Sequence, residues 1–143
     1  MPRMSDSPQR HFRLSEVRAA LPDVDARLGE MQQERKRAAE ARALLDSVRR
    51  SGTTNGNGAS ADNGELRSRF RRHAERLQAL AAELESMGVQ VKDLERGLVD
   101  WPAQRNGSTV LLCWLRGEPD VAWWHDLHAG FPGRQAIVEE EWD

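Results

Sequence analysis

Residues 65–88 read ELRSRFRRHAERLQALAAELESMG. Leu66, Phe70, His73, Leu77, Leu80, Leu84 and Met87 recur there at alternating steps of four and three. Residues so spaced share one side of an α-helix, so the stretch predicts a helix over 63–88 with a narrow apolar seam three heptads long. Gly88 is its natural stop, because glycine accepts the left-handed backbone that ends helices. His73 lies inside the seam, where a polar residue sets register more economically than it would ligate an ion.

Upstream, residues 51–64 read SGTTNGNGASADNG, with four glycines and no large apolar side chain. This composition predicts a flexible loop. Asp62 or Asn63 can cap the helix that follows, with Glu65 in its first turn. Further upstream, Val17, Leu21, Val24, Leu28 and Met31 recur at helical spacing, and Ala41, Leu44, Leu45 and Val48 continue as a shifted stripe. Leu21-Pro22 predicts a break, since the residue before proline is pushed out of the α region. The expectation is one helix over 22–50, preceded by a short turn with Ser15 as N-cap. Two helices of similar length around a short loop predict an antiparallel coiled-coil hairpin.

Downstream the pattern changes to short β-branched, Leu- and Trp-rich runs: 89–91, 97–103, 109–116 and 120–125. Asn106-Gly107 is a hairpin signal, and Gly117-Glu118-Pro119-Asp120 reads as a turn. In 109–116 both alternating sets are apolar, which predicts a central strand covered on both faces, by the hairpin and by a partner chain. Pro102 argues that its strand lies at an edge or ends there. The fold class is therefore α+β: a long two-helix hairpin followed by a small antiparallel sheet of 3–4 strands. Residues 1–88 form the N-terminal arm and hairpin and 89–143 a Trp-rich β region, together one structural domain.

The chain has 143 residues, 38% hydrophobic and 31% charged, with a net charge of −2. The charge fraction suits long half-exposed helices. The near-neutral balance excludes a global basic field for nucleic acid or an anionic membrane. Residues 1–50 carry a net +3 and residues 89–143 a net −5. Arg67, Arg69, Arg71, Arg72 and Arg76 spread around a helix with no aromatic platform, which reads as a solvated flank and not a nucleic-acid site. The longest apolar run, 110–115, is too short for a membrane span, and the N-terminus carries no secretory signal. One cysteine suits a reducing cytoplasm. No internal repeat is present.

Several stretches are similar to one small bacterial family of unassigned function, domain of unknown function 2203. They are Arg10-His11-Phe12-x-Leu14-x-Glu16-x-Arg18-x-x-Leu21-Pro22, Gly88-Val89-x-Val91-Lys92-Asp93-Leu94 and Gly97 to Ala103. Leu112-Cys113-Trp114, Gly117-Glu118 and Trp124-His125-Asp126-Leu127-x-Ala129-Gly130-Phe131-x-Gly133-Arg134-Gln135 complete the set. The resemblance covers nearly the whole chain except 51–64. It implies a coiled-coil hairpin with a small sheet in bacterial cytoplasm, and no activity. His128 departs from the family pattern, where an acidic residue is usual.

The densest ligand set is His125, His128, Asp126, Glu118 and Cys113, with Asp93 and Asp100 nearby in sequence. Imidazole, carboxylate and thiolate are the ligands of first-row transition metals, so one divalent ion is the candidate cofactor. Alternation puts His125 and Asp126 on opposite faces of a strand, so the two share a site only if the strand has ended. The competing reading is a hydrogen-bonded structural histidine, with Cys113 as a small buried hydrophobe. Gly130, Gly133 and Arg134 form a glycine-rich loop ending in a guanidinium, a candidate anion site that competes with a plain tight turn. Trp101, Trp114, Trp123 and Trp124 are either an interaction surface or the filling of a small core.

Two functions follow. The favoured one is a coiled-coil oligomerisation or protein-interaction module that self-associates through the hairpin. The alternative is a small metal-binding protein or metal-dependent enzyme centred on His125.

Overall fold

The computed structural model describes residues 10–50 and 56–142. Two helices, α1 (Leu14–Arg50) and α2 (Gly56–Ser86), precede five strands. These are β1 (Gln90–Asp93), β2 (Leu98–Arg105), β3 (Ser108–Leu115), β4 (Trp123–Asp126) and β5 (Gln135–Ala136). They form one antiparallel sheet in chain order, β1-β2-β3-β4-β5. The class is α+β, with five strands in place of the expected 3–4. The uncounted strand β5 is two residues long and carries no periodicity of its own. No helix among the described residues is long and apolar enough to cross a membrane.

Both helices start earlier than expected, and α2 ends at Ser86, two residues short of its expected end. α1 runs unbroken through Pro22 from Leu14, so the break predicted at 21–22 does not occur. Val17, Leu21, Val24 and Leu28 are all buried along it. Burial of one continuous stripe outweighs a proline penalty of about 3 kcal/mol. The N-cap is Arg13 and not Ser15. Glu16 accepts the Arg13 backbone N–H at 2.9 Å, half of a capping box. α2 starts at Gly56, so 56–64 of the expected loop is helical, while 51–55 lie outside the described residues. Nucleation is the costly step of helix formation. A helix already fixed by 66–87 therefore propagates through residues of weak propensity.

The chain divides into two compact units, Met1–Ala26 with Leu84–Asp143, and Arg27–Glu83. In the second unit the helices run antiparallel. Arg27 pairs with Glu83 at 3.1 Å, Arg76 with Glu30 at 2.6 Å and His73 with Glu34 at 2.6 Å, and Arg42 lies over the Phe70 ring. Leu28, Met31, Ala38, Ala41, Leu45 and Leu80 are buried there. Of the α2 seam, Leu80 and Leu84 are buried and Leu66, Phe70, His73, Leu77 and Met87 are half-buried, with His73 against the carboxylate of Glu34.

In the first unit the sheet is the centre. β2 and β3 pair along their whole length through a two-residue turn, Asn106-Gly107. Both turn residues have positive φ, 52° and 81°, the type I′ geometry that this dipeptide favours. β3 sits in the middle of the sheet and is buried on both faces, as its double apolar pattern required. Pro102 lies in an inner strand, but β1 pairs no further along β2 than Asp100. Beyond that point the outer side of β2 is met by the N-terminal arm, whose Phe12 N–H donates to the Pro102 carbonyl.

α2 stops as Gly88 demands. The Val89 N–H bonds the Leu84 carbonyl and the Gly88 N–H bonds that of Glu85, a Schellman motif with Gly88 at φ +82°. A Cβ on Gly88 would also overlap the Phe12 ring. Gly88→Ala is therefore expected to cost about 2–3 kcal/mol, one part for backbone strain and one for displaced packing. Urea unfolding of the variant measures this; a loss below about 0.5 kcal/mol, the range of neutral surface changes, contradicts it.

Candidate metal site in the sheet

Antiparallel pairing places residues directly opposite one another on the same face. Asp100 on β2 is opposite Cys113 on β3, which is opposite Trp123 on β4. His125 is opposite Leu111, two residues from Cys113, and so emerges on that same face. The sheet thus gathers Asp100, Cys113 and His125 from three strands. One ligand atom of each lies within 4.8 Å of the other two. All three side chains are buried: Cys113 is 0% exposed and Asp100 and His125 are 2% exposed.

The hydrogen bonds fix the imidazole. His125 Nδ1 is 2.7 Å from the Asp126 carbonyl oxygen, which only accepts, so Nδ1 carries a proton. The other nitrogen, Nε2, is 3.1 Å from Asp100 Oδ2. One proton lies between these two atoms, whichever of them holds it. A ring N–H donated to a backbone carbonyl is also the usual support of a metal-bound histidine. The second Asp100 oxygen, Oδ1, is buried without a hydrogen-bond partner. A buried carboxylate oxygen left unpaired is costly, and either the Cys113 thiol proton, which interacts with Asp100, or a bound cation relieves it.

Arg134 closes the site from the C-terminal segment. Its Nε is 3.4 Å from Cys113 Sγ, and its two terminal nitrogens each donate to Glu118 at 2.7 Å. The guanidinium also lies over the Phe131 and Trp123 rings at 4.4 and 5.6 Å. Burial would raise the Glu118 carboxyl and lower Arg134, but the bidentate contact wins for both. It is helped at Glu118 by the Leu115 N–H. Glu118 is thereby held below the usual carboxylate range and Arg134 above the usual guanidinium value. Burial drives the Cys113 thiol up to about 12, only partly offset by the Arg134 hydrogen bond and reinforced by Asp100.

Of the sequence candidates, His125 and Cys113 meet. Glu118 is half-buried and engaged by Arg134, and Asp126 and His128 are exposed. The strand extends to Asp126, so alternation does keep His125 and Asp126 apart. Among Gly130, Gly133 and Arg134, residues Phe131–Gly133 form a 3₁₀ turn and the guanidinium is committed to Glu118, which leaves the loop no free cation. Trp101, Trp114 and Trp124 are buried in the core and Trp123 is half-buried. Sequence reasoning missed Asp100 as a full member of the site. Its signal was the charge itself: Leu98 to Ala103 are all buried, and Asp100 is the one ionisable residue among them.

The family model described as "Uncharacterized conserved protein (DUF2203)" matches residues 10–137. The chain belongs to this family. The match takes in the whole Asp100–Cys113–His125 cluster together with Glu118 and Arg134 of this DUF2203 member. No curated protein and no solved structure matches the chain.

Proposed function

We propose that this protein binds one divalent transition-metal ion of the zinc class through Asp100, Cys113 and His125. The observation that carries the reading is the unpartnered buried oxygen of Asp100 beside a thiol and an imidazole nitrogen. A mixed O, S and N set suits zinc and its neighbours and disfavours calcium or magnesium, which take oxygen alone. Tetrahedral zinc with ordinary bond lengths needs ligand atoms about 3.3–3.6 Å apart, against spacings of up to 4.8 Å here. The charges balance: the carboxylate and a deprotonated thiol neutralise the ion, while Glu118 and Arg134 neutralise each other. The three ligands come from β2, β3 and β4, so the ion joins these strands; the fourth tetrahedral position is left for a water or another small ligand.

Self-association through the helices has less support. The seam residue Leu80 and its counterparts on α1 are buried within the chain. Leu44, at 52% exposure, is the one large hydrophobic residue of the helices classed as exposed among those described.

The test is elemental analysis of protein purified without chelator, with zinc or cobalt(II) titration of the metal-free form. One equivalent is expected, with a thiolate-to-cobalt absorption band. Cys113→Ala and His125→Ala should each weaken binding by on the order of 100-fold or more, given that outer-shell losses alone reach that size. Equal metal content in the wild type and both variants defeats the proposal.

A further inference from the structure

We propose a second ligand site, for a small oxyanion, where the N-terminal arm meets the end of β2 and the C-terminal segment. A cavity of about 300 Å³ lies there, walled by His11, Phe12, Arg13, Gln104, Glu141 and Trp142. Three stretches distant in sequence supply this wall, so the sheet and its flanking segments build it. The volume is at the lower bound of small-molecule sites, which sets the size of the occupant.

The Arg13 guanidinium is the one charge of the wall without an ion-pair or hydrogen-bond partner among the described residues; the bond from Arg13 to Glu16 is made by the backbone N–H. The Gln104 amide adds both a donor and an acceptor. The indole Nε1–H of Trp142 is buried and has no partner. The nitrogen is sealed from water, so a ligand oxygen reaches it only with a small shift of the indole, which makes the ring a reporter of occupancy. His11 is anchored through Nε2 to Thr109 Oγ1 at 2.8 Å, which fixes its ring at the rim. Glu141 is the one carboxylate of the wall, and Arg105 already holds it at 2.7 Å. Arg105 also lies between Trp124 and Trp142, 4.8 and 5.1 Å from their ring centres. That side of the cavity is therefore preorganised, with its negative charge cancelled. The matching ligand brings oxygen acceptors and negative charge: a small carboxylate or a phosphate. The site is separate from the metal cluster, shares no residue with it and does not depend on it.

The experiment follows the Trp142 indole N–H by heteronuclear NMR of the full chain, assigned with Trp142→Phe. Inorganic phosphate and succinate are titrated separately, with chloride at equal ionic strength as the control. A saturable downfield shift is expected with one or both, at a Kd on the order of 1 mM. Arg13→Ala, which truncates an exposed side chain, should weaken binding at least about tenfold. A response to phosphate alone names the phosphate class, and a response to succinate alone names the carboxylate class. Either supports the site. No saturable shift by about 50 mM, an equal shift with chloride, or unchanged binding by Arg13→Ala overturns it.

Discussion

At pH 8 the Cys113 thiol of the folded, metal-free protein is expected to react with iodoacetamide at least about a thousand times more slowly than in the urea-unfolded chain. Two effects combine. The side chain is 0% exposed, so the reagent reaches it only through opening. Burial also drives the thiol from an ordinary 9.0 to about 12, with Asp100 adding to the rise and Arg134 opposing it. Three pH units mean about a thousandfold less thiolate, and thiolate is the nucleophile. The sign of the stability effect follows. The folded form holds this proton more tightly than the unfolded chain, so the contribution is complete below about pH 9 and is lost as pH climbs toward about 12. Cys113→Ala should lack that alkaline loss. Zinc binding must expel the thiol proton and the one shared by His125 and Asp100, so affinity should rise at least about tenfold per pH unit through the neutral range. Fast labelling of the folded protein, or a zinc affinity flat with pH, would sink both claims.

The site shows what a sequence does and does not disclose. Cys113 and His125 are conspicuous by residue type, and alternation alone separated His125 from Asp126. Which histidine and which carboxylate accompany the thiol depends on strand register. No single strand contains that information, because the pairing of β2, β3 and β4 supplies it. Asp100 sits 25 positions before His125, yet it is the residue that touches the imidazole. The fold divides in the same way. The helical state of 66–86, the Gly88 stop, the Asn106-Gly107 turn and the doubly buried β3 were all legible, because each rests on local chemistry. The helical state of 56–64 and the continuity of α1 through Pro22 were not. There, local preference is weak or adverse, and cooperativity and burial decide. Strand β5 exists because Trp123 and Trp124 offer it an edge, a reason outside its own two residues.

The tryptophans separate a core from a docking surface by stability alone. Trp101 is 1% exposed, opposite Leu112 on β3, and Leu112 in turn is opposite Trp124 on β4. These three residues form one row across the sheet, on the face away from Asp100, Cys113 and His125. Trp101→Ala removes the largest fully buried side chain of the chain's described residues and leaves a cavity that the flanking strands cannot close. The expected loss is about 3–5 kcal/mol, a third or more of what a domain of this size commands. Trp101→Phe should recover much of it by keeping a ring in place. Trp123→Ala acts differently. The indole is half-buried against Arg134, so the loss should be about 1 kcal/mol, with a weaker hold on the guanidinium beside Cys113. Urea unfolding of the three variants gives the ordering directly. If Trp101→Ala left stability intact, the row would not be core, and a binding role for these rings would return. A large loss at Trp101 with a small one at Trp123 assigns the indoles to holding β2, β3 and β4 in register. That register is what brings Asp100 to the thiol and the imidazole.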